Sequence, residues 1–300
     1  MQSSLGSYPA TRGAAELRGS IGAWISRRFS AELDPETQIL PVNGTREGLF
    51  SFAQTLLSGA PGSVALLPNP FYQIYEGAVL LRGAQPVFLP TTKANGYKPD
   101  FRAVPAATWE RCEILFICSP GNPSGAVLQT EELAHLLELR DRYNFVIAAD
   151  ECYSEIYDPD SAPPTGLLEV CAATNRPDFR GCMVFHSLSK RSNLPGLRSG
   201  FVAGDAKLIE PYFNYRTYHG CAMPVLTQRV SALAWNDEDH VQANRAAYAA
   251  KFAAVLPILS RSLEVTRPAA AFYLWPKTPF DDQQFAQDLF QQTNITVLPG

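Results

Sequence analysis

Chemically active side chains follow several short apolar runs in this sequence. Ser-Pro-Gly-Asn-Pro-Ser-Gly begins after Cys118, Asp-Glu-Cys-Tyr begins after Ala149, and His-Ser-Leu-Ser-Lys begins after Phe185. Arg198 lies shortly beyond the last group, just before another apolar run. In open α/β sheets, ligands bind beyond the carboxyl ends of the strands. If the apolar runs are strands of one sheet, these groups form a ligand site at one edge.

Lys190 is the residue in this set with the most distinctive chemistry. A single lysine in a loop is ordinarily a solvated side chain. Lys190 ends Ser187-Leu188-Ser189-Lys190 behind a buried strand, and Arg198 follows in a glycine-containing segment. Such a lysine could form a Schiff base if a neighbouring cation lowers its pKa. Gly44-Thr45-Arg46 allows two interpretations, an ordinary helix N-cap or an anion site at a helix N-terminus.

The elements that would position these residues alternate along the chain. Residues 46–58 form an amphipathic helical pattern, and helices are also predicted at 72–82 and 130–142. Strands are predicted at 63–67, 84–89, 111–118, 145–149, 182–187 and 199–203. This alternation predicts an α/β fold with a mostly parallel sheet. Helical patterns at 14–28 and within 237–292, around an apolar FYLW segment at 272–275, predict a smaller second layer built from both chain ends.

Composition limits the classes of function. Of the 300 residues, 46% are hydrophobic and 18% are charged, and the net charge is -4, which argues against nucleic acid as a partner. No apolar run approaches the roughly 20 residues that span a bilayer, and the N-terminus lacks a secretory signal pattern. The six cysteines include no CxxC pair, so we expect reduced cysteines in a cytoplasmic protein and no metal site.

Taken in order, the motifs resemble those of one enzyme family. Asn122-Pro123-Ser124-Gly125, Asp150-Glu151-Cys152-Tyr153, Ser187-Leu188-Ser189-Lys190 and Gly196-Leu197-Arg198-Ser199-Gly200 resemble the class I/II pyridoxal-phosphate aminotransferases of fold type I. The resemblance runs from Tyr8 to Gly300, and Ser199 departs from the usual pattern. It implies a large cofactor-binding domain at 41–255, with 1–40 and 256–300 contributing to a smaller α+β domain. It also implies that this smaller domain is truncated here.

The resemblance also implies a role for each matching residue. Lys190 would hold the cofactor as a Schiff base and act as general base, and Asp150 would keep the pyridine nitrogen protonated. Tyr153 and Asn122 would hydrogen-bond the ring oxygen, and Tyr72 would stack on the ring. The phosphate would be bound by Gly44, Thr45, Arg46, Ser187, Ser189 and Arg198. Arg46 would contribute mainly its backbone N–H. Tyr8 would reach the phosphate of a partner subunit, which implies a homodimer.

Within the family, the segments SPGNPSGAVL, DECYSEIY and HSLSKRSNLPGLRSGF look most like bacterial succinyldiaminopimelate aminotransferases of lysine biosynthesis. This implies amino transfer from glutamate to a 2-oxo acid, N-succinyl-2-amino-6-oxopimelate. The family arginine that grips the substrate carboxylate is expected beyond the final VLPG. Two alternatives stay open: a lyase of the same fold, and a fragment that binds the cofactor without activity.

Overall fold

A single seven-stranded sheet organises the molecule, which the computed structural model describes over residues 6–300. The strands are β1 Ile39–Val42, β2 Val64–Asn69, β3 Gln85–Pro90, β4 Cys112–Cys118, β5 Val146–Asp150, β6 Cys182–Ser187 and β7 Gly200–Gly204. Their order in the sheet is β1-β7-β6-β5-β4-β2-β3. β7 is antiparallel to both neighbours, and every other adjacent pair is parallel. The predicted α/β fold with a mostly parallel mixed sheet is confirmed.

Helices connect the strands and continue beyond the last one. They are α1 Ala15–Phe29, α2 Thr45–Leu56, α3 Ile74–Leu81, α4 Ala106–Trp109, α5 Thr130–Tyr143, α6 Leu167–Ala173, α7 Leu188–Arg191, α8 Ala206–His219, α9 Val225–Asn236, α10 Asp239–Leu259 and α11 Asp282–Thr293. The predicted strands and helices lie close to the observed ranges. The sequence patterns missed β1, the short helices α4, α6 and α7, and the longer helices α8 and α9.

Both faces of the sheet are covered because side chains alternate along each strand. On β2, Val64 and Leu66 point into one hydrophobic cluster, and Ala65 and Leu67 point into the other. Helices α1, α5, α6 and α9 cover the first face, and α2, α3 and α8 cover the second. Trp24 of α1 is buried in the first cluster. The N-terminal helix is therefore part of the core under the sheet.

Residues 268–273, defined here as the C-terminal strap, dock onto two loops at the sheet edge. Ala270 N donates to Gly125 O (3.2 Å) in the loop after β4, and Ala271 N donates to Ile156 O (2.8 Å) after β5. The division at residues 40 and 255 stays a prediction. No helix within residues 6–300 combines the length and apolar character needed to cross a bilayer.

Candidate active site

The sheet topology brings the strand-end motifs to one edge. β1 and β6 are each antiparallel to β7, so they run in the same direction as β2, β4 and β5. In register, Cys118 pairs with Asp150, and both Ser187 and Val42 pair with Gly200. The segments after β1, β2, β4, β5 and β6 therefore emerge side by side. Arg198, which precedes β7, enters the sheet from the same edge.

Asp150 ends β5 and is only 5% exposed. Its Oδ2 accepts a hydrogen bond from Tyr75 Oη (2.7 Å), and its Oδ1 accepts one from Cys152 N (3.3 Å). Burial, with the nearby Asp150 carboxylate, raises the pKa of Tyr75, so this phenol stays protonated and donates. No lysine, arginine or histidine within the described residues forms an ion pair with Asp150. Burying a carboxylate without a cation is costly, so the position calls for a further hydrogen-bond donor.

Lys190 is half-buried in the short helix α7, which begins directly after β6. Its Nζ lies 4.7 Å from the ring centroid of Phe272 and 5.4 Å from that of Tyr153. Burial lowers the pKa of Lys190, and Cys152 and Asp150 oppose this effect. The sequence interpretation required a neighbouring cation to lower this pKa, and that cause was wrong, because burial does so. A lysine with a lowered pKa has a larger fraction of neutral amine, the form that acts as a nucleophile or accepts a proton.

Tyr153 and Asn122 lie in the loops after β5 and β4. Tyr153 is 5% exposed, and its Oη lies 2.7 Å from Tyr273 Oη in the C-terminal strap. Burial first, and the Tyr273 hydrogen bond second, raise the pKa of Tyr153. Asn122 lines a small cavity together with Cys118. Both predicted ring contacts thus lie at the same sheet edge as Asp150.

An anion pocket lies where α2 begins. The first amides of a helix have no partner within the helix, and Gly44 N-caps α2 without a side-chain hydrogen bond. Gly44 has φ +85, and a Cβ there would overlap the guanidinium of Arg198. Arg198 Nη2 donates to Asn43 O (3.3 Å), which holds the cation over these amides. The arrangement provides a positive charge and free N–H donors for one anion.

The side-chain hydroxyl groups predicted to contact the phosphate have different partners in the structure. Ser187 Oγ accepts a hydrogen bond from Ser189 N (3.0 Å) and caps α7. Thr45 Oγ1 lies 3.2 Å from Cys152 Sγ and is nearly buried. Ser187, Ser189 and Thr45 all lie at the edge where α2 and α7 begin.

Arg46 and Tyr72 contact each other. Arg46 Nε donates to Tyr72 Oη (2.6 Å), so the arginine side chain is directed at the tyrosine. The expected contribution of the Arg46 backbone N–H to the phosphate stays a prediction. Tyr72 follows β2 and packs edge-to-face on Tyr75 (5.9 Å between ring centroids). The Tyr72 ring therefore lies beside Tyr75, which donates a hydrogen bond to Asp150.

Tyr8 is fully exposed and makes no contact with this edge of its own chain among the described residues. Its predicted contact with a partner subunit stays a prediction.

Sequence reasoning missed Tyr75, Phe272 and Tyr273. Tyr75 lies one helical turn after Tyr72 in NPFYQIY, which was a usable signal, because both fall on the segment after β2. The FYLW segment was noted only as apolar. Its contact with Tyr153 joins residues far apart in the sequence, so no local pattern points to it.

The architecture and this edge define the chain as a fold type I enzyme, and comparisons with known proteins identify the family. A family model described as aminotransferase class I and II matches residues 1–300. An LL-diaminopimelate aminotransferase from Dehalococcoides mccartyi is 33% identical over 297 residues, which cover 98% of this chain and 74% of that protein. The chain belongs to the class I and II aminotransferases.

Solved structures agree with this family. An aminotransferase from Neisseria meningitidis has a TM-score of 0.93 and 48% identity, covering 100% of this chain and 76% of that one. The aminotransferase AspB from Helicobacter pylori has a TM-score of 0.91 and 36% identity, covering 99% of this chain and 77% of that one.

Enzymes of this family use pyridoxal phosphate, and this protein is a pyridoxal-phosphate-dependent aminotransferase. The residues present fit that group. Asp150 is a buried carboxylate that forms no ion pair with any residue the structure describes, which suits a protonated ring nitrogen. Lys190 supplies an amine with a lowered pKa, and the pocket at Gly44 and Arg198 suits a phosphate.

Proposed function

We propose that this aminotransferase acts on an amino acid with the diaminopimelate carbon skeleton, with glutamate as the amino donor. The observation that carries the proposal is the similarity to LL-diaminopimelate aminotransferases, at 33% and 32% identity over 98% of the chain. The resemblance of the sequence segments to succinyldiaminopimelate aminotransferases supports N-succinyl-2-amino-6-oxopimelate as the amino acceptor. The free LL-diaminopimelate skeleton is the second candidate, because it is the one in the names of these relatives.

Two residues are proposed to carry the chemistry. Pyridoxal phosphate supplies an electron sink that stabilises negative charge at the substrate Cα. Asp150, at the bottom of the site, is proposed to accept a hydrogen bond from the protonated ring nitrogen, held in place by Tyr75 Oη at 2.7 Å. Lys190 Nζ is proposed to anchor the cofactor and then to move the proton from the substrate Cα. Its lowered pKa favours the neutral amine that such a base needs.

The remaining site residues are proposed to orient the cofactor. Tyr153 and Asn122 would donate to the ring oxygen, and Tyr72 would cover one ring face. The phosphate would lie at the N-terminus of α2, bound by the amides of Gly44, Thr45 and Arg46 and by Ser187, Ser189 and Arg198. What supports this is their convergence at the carboxyl ends of parallel strands and the first amides of α2, which have no partner within the helix. The Gly44 N–H donates to Val42 O (2.8 Å) and would have to turn towards the phosphate.

A homodimer is part of the proposal. Tyr8 is fully exposed at the N-terminus, where a second subunit could receive it. Tyr8→Phe would then weaken phosphate binding in mixed dimers at the partner's site alone. Dimers assembled from Tyr8→Phe and Lys190→Ala chains test this by their content of bound cofactor. The one site that retains Lys190 receives the intact Tyr8 of the partner chain, so we expect it to be fully occupied, whereas the Tyr8→Phe homodimer should bind cofactor weakly. Weakened binding at that site would mean that Tyr8 acts within its own subunit, and full occupancy of the Tyr8→Phe homodimer would mean that Tyr8 makes no contact.

Lys190→Ala tests cofactor attachment. We expect the purified protein to show a visible absorption band that borohydride bleaches with permanent labelling, and Lys190→Ala to lose the labelling. The matched control is Lys207→Ala, which removes an exposed lysine on α8. Labelling that persists in Lys190→Ala, or is lost in Lys207→Ala, would place the covalent anchor elsewhere.

Single-turnover half-reactions test the substrate. The cofactor-loaded enzyme is mixed separately with glutamate, N-succinyl-LL-diaminopimelate and LL-diaminopimelate, and the loss of the visible band is followed. We expect conversion with glutamate and with at least one diaminopimelate compound, the succinylated one being faster. Faster conversion with the free compound would replace the succinylated acceptor by the second candidate. Conversion with glutamate alone would reject the diaminopimelate skeleton.

A further inference from the structure

Three side chains with metal-binding donors meet on the side of α2 away from Asp150. They are Glu47 in the first turn of α2, His219 at the end of α8, and Cys221 two residues later. One donor atom from each lies within 4.8 Å of the donors of the other two. Glu47 is far from the other two in sequence, so only the fold brings the set together.

Local structure holds the three donors in place. Gly220 between His219 and Cys221 has φ +76 and caps α8, with its N–H donating to Arg216 O (3.0 Å). This left-handed turn reverses the chain, so that the side chains on either side of Gly220 approach the same point. The His219 ring stacks on Tyr215, with 5.7 Å between ring centroids.

Asn43 forms hydrogen bonds with both Cys221 and Glu47. Its Nδ2 donates to Cys221 O (2.8 Å), and its backbone N donates to Glu47 Oε2 (3.2 Å). The loop that carries Cys221 is thus tied to the start of α2. Cys221 Sγ also lies 3.7 Å from Arg216 O, a weak contact that zinc binding would replace.

The nearest charge is that of Arg216, which is fully buried. Its Nη1 donates to Glu47 Oε1, and its Nη2 donates to Cys221 O (3.0 Å). Arg216 therefore binds Oε1 of Glu47, while Oε2 of Glu47 accepts a hydrogen bond from the backbone N of Asn43. A carboxylate can accept several hydrogen bonds or ligate a metal through its second oxygen. An arginine on one oxygen is the outer contact that orients a ligating carboxylate.

One sulfur, one imidazole nitrogen and one carboxylate oxygen are the donors that Zn²⁺ prefers. Zinc binds them at about 2.0–2.3 Å, so the donors need to approach one another by about 1 Å. His219 is exposed at a helix end, and its side chain can make that movement.

We propose that Glu47, His219 and Cys221 form a Zn²⁺ site with three protein ligands and one position open to solvent. From the absence of a CxxC pair, the sequence predicted no metal site. Sequence spacing could not reveal this set, because one of its three ligands comes from α2, far from the other two along the chain. Glu47 directly follows Arg46, so the ion joins the end of α8 to the helix turn that forms the anion pocket. The proposal does not depend on which substrate the enzyme uses.

Cobalt is the probe for this site. The cofactor-loaded full chain is treated with a chelator, exchanged into buffer and titrated with Co²⁺, whose visible bands lie at longer wavelength than the cofactor's absorption. We expect one Co²⁺ per chain, with an intense visible spectrum typical of tetrahedral coordination that includes a thiolate, and displacement by one equivalent of Zn²⁺. Zinc content after gel filtration gives an independent count.

The variants are Cys221→Ser and His219→Gln, with His135→Gln as the matched control on α5. Loss of one ligand should weaken Zn²⁺ binding by about 100-fold, since loss of even an outer contact costs 10–100-fold. The control should bind as the parent does. Retention of the bound cofactor and of the thermal midpoint shows that each variant is folded. Absence of stoichiometric Co²⁺ binding, or equal binding by Cys221→Ser and His219→Gln and the parent, would overturn the proposal.

Discussion

Tyr75→Phe removes one hydroxyl group from the support of Asp150. Tyr75 has no exposed surface, and its ring stacks on Phe116 with 4.8 Å between centroids, so phenylalanine retains the packing. The hydrogen bond that is lost is short, at 2.7 Å, and its acceptor is a buried carboxylate. A hydrogen bond to a charged group contributes about 1.5–3 kcal/mol. Since about 1.4 kcal/mol corresponds to a factor of ten, we expect kcat/KM to fall about 10- to 150-fold.

The matched control for this prediction is Tyr212→Phe. Tyr212 is equally buried, and its Oη lies 2.7 Å from Ser51 Oγ, away from Asp150. Each variant loses a buried hydroxyl that meets a charged side chain, Asp150 for Tyr75 and Arg216 for Tyr212, so both should lose about 1.5–3 kcal/mol of the free energy of unfolding in urea. Only Tyr75→Phe should lose activity in steady-state transamination with glutamate. Equal kcat/KM for Tyr75→Phe and the parent, or equal losses in the two variants, would refute the role given to the Tyr75 hydroxyl.

Three further outcomes follow from the site. Gly44→Ala places a Cβ against Arg198 at a positive φ, so cofactor affinity should fall at least about tenfold in an absorbance titration; unchanged affinity would count against the pocket. Burial lowers the pKa of Lys190 in the folded protein. At alkaline pH below the ordinary lysine pKa, the unfolded chain therefore binds more protons than the folded chain, and the free energy of unfolding rises with pH. In cofactor-free protein, Lys190→Met should remove that rise in urea unfolding; an identical slope contradicts it. Arg191→Met removes the buried guanidinium that donates to Ala234 O (2.7 Å) and should cost about 1–3 kcal/mol, against no measurable loss for the exposed Arg261→Met.

The sequence predicted the location of a candidate residue where that residue directly follows a strand. Asp150 and Lys190 each follow a buried apolar strand, and the parallel sheet brings such ends together whatever the connections between them. The same logic located Asn122 and Arg198. These residues needed no knowledge of long-range contacts beyond the direction of the strands.

Long-range contacts account for what was missed. Tyr75 and Asp150 are 75 residues apart, and Tyr153 and Tyr273 are 120 residues apart, so their hydrogen bonds leave no periodic signal. β1 is four residues long and contains Pro41, and α8 contains Pro211 inside its range. Proline ordinarily ends such elements. β1 is an edge strand, where proline is tolerated, whereas in α8 tertiary packing outweighs the local preference.

Because β7 runs antiparallel to its neighbours, the distance from Lys190 to Arg198 and the distance from Lys190 to Asp150 are set by different parts of the fold. The connection from Ser187 to Gly200 leaves and re-enters the sheet at the same edge, and it carries both Lys190 and Arg198. The spacing of amine and guanidinium therefore depends on one short stretch of chain with low contact order. The spacing of Lys190 from Asp150 depends instead on the register between β5 and β6. A change that shifts that register by one residue would separate the acid from the amine and leave the amine and guanidinium together.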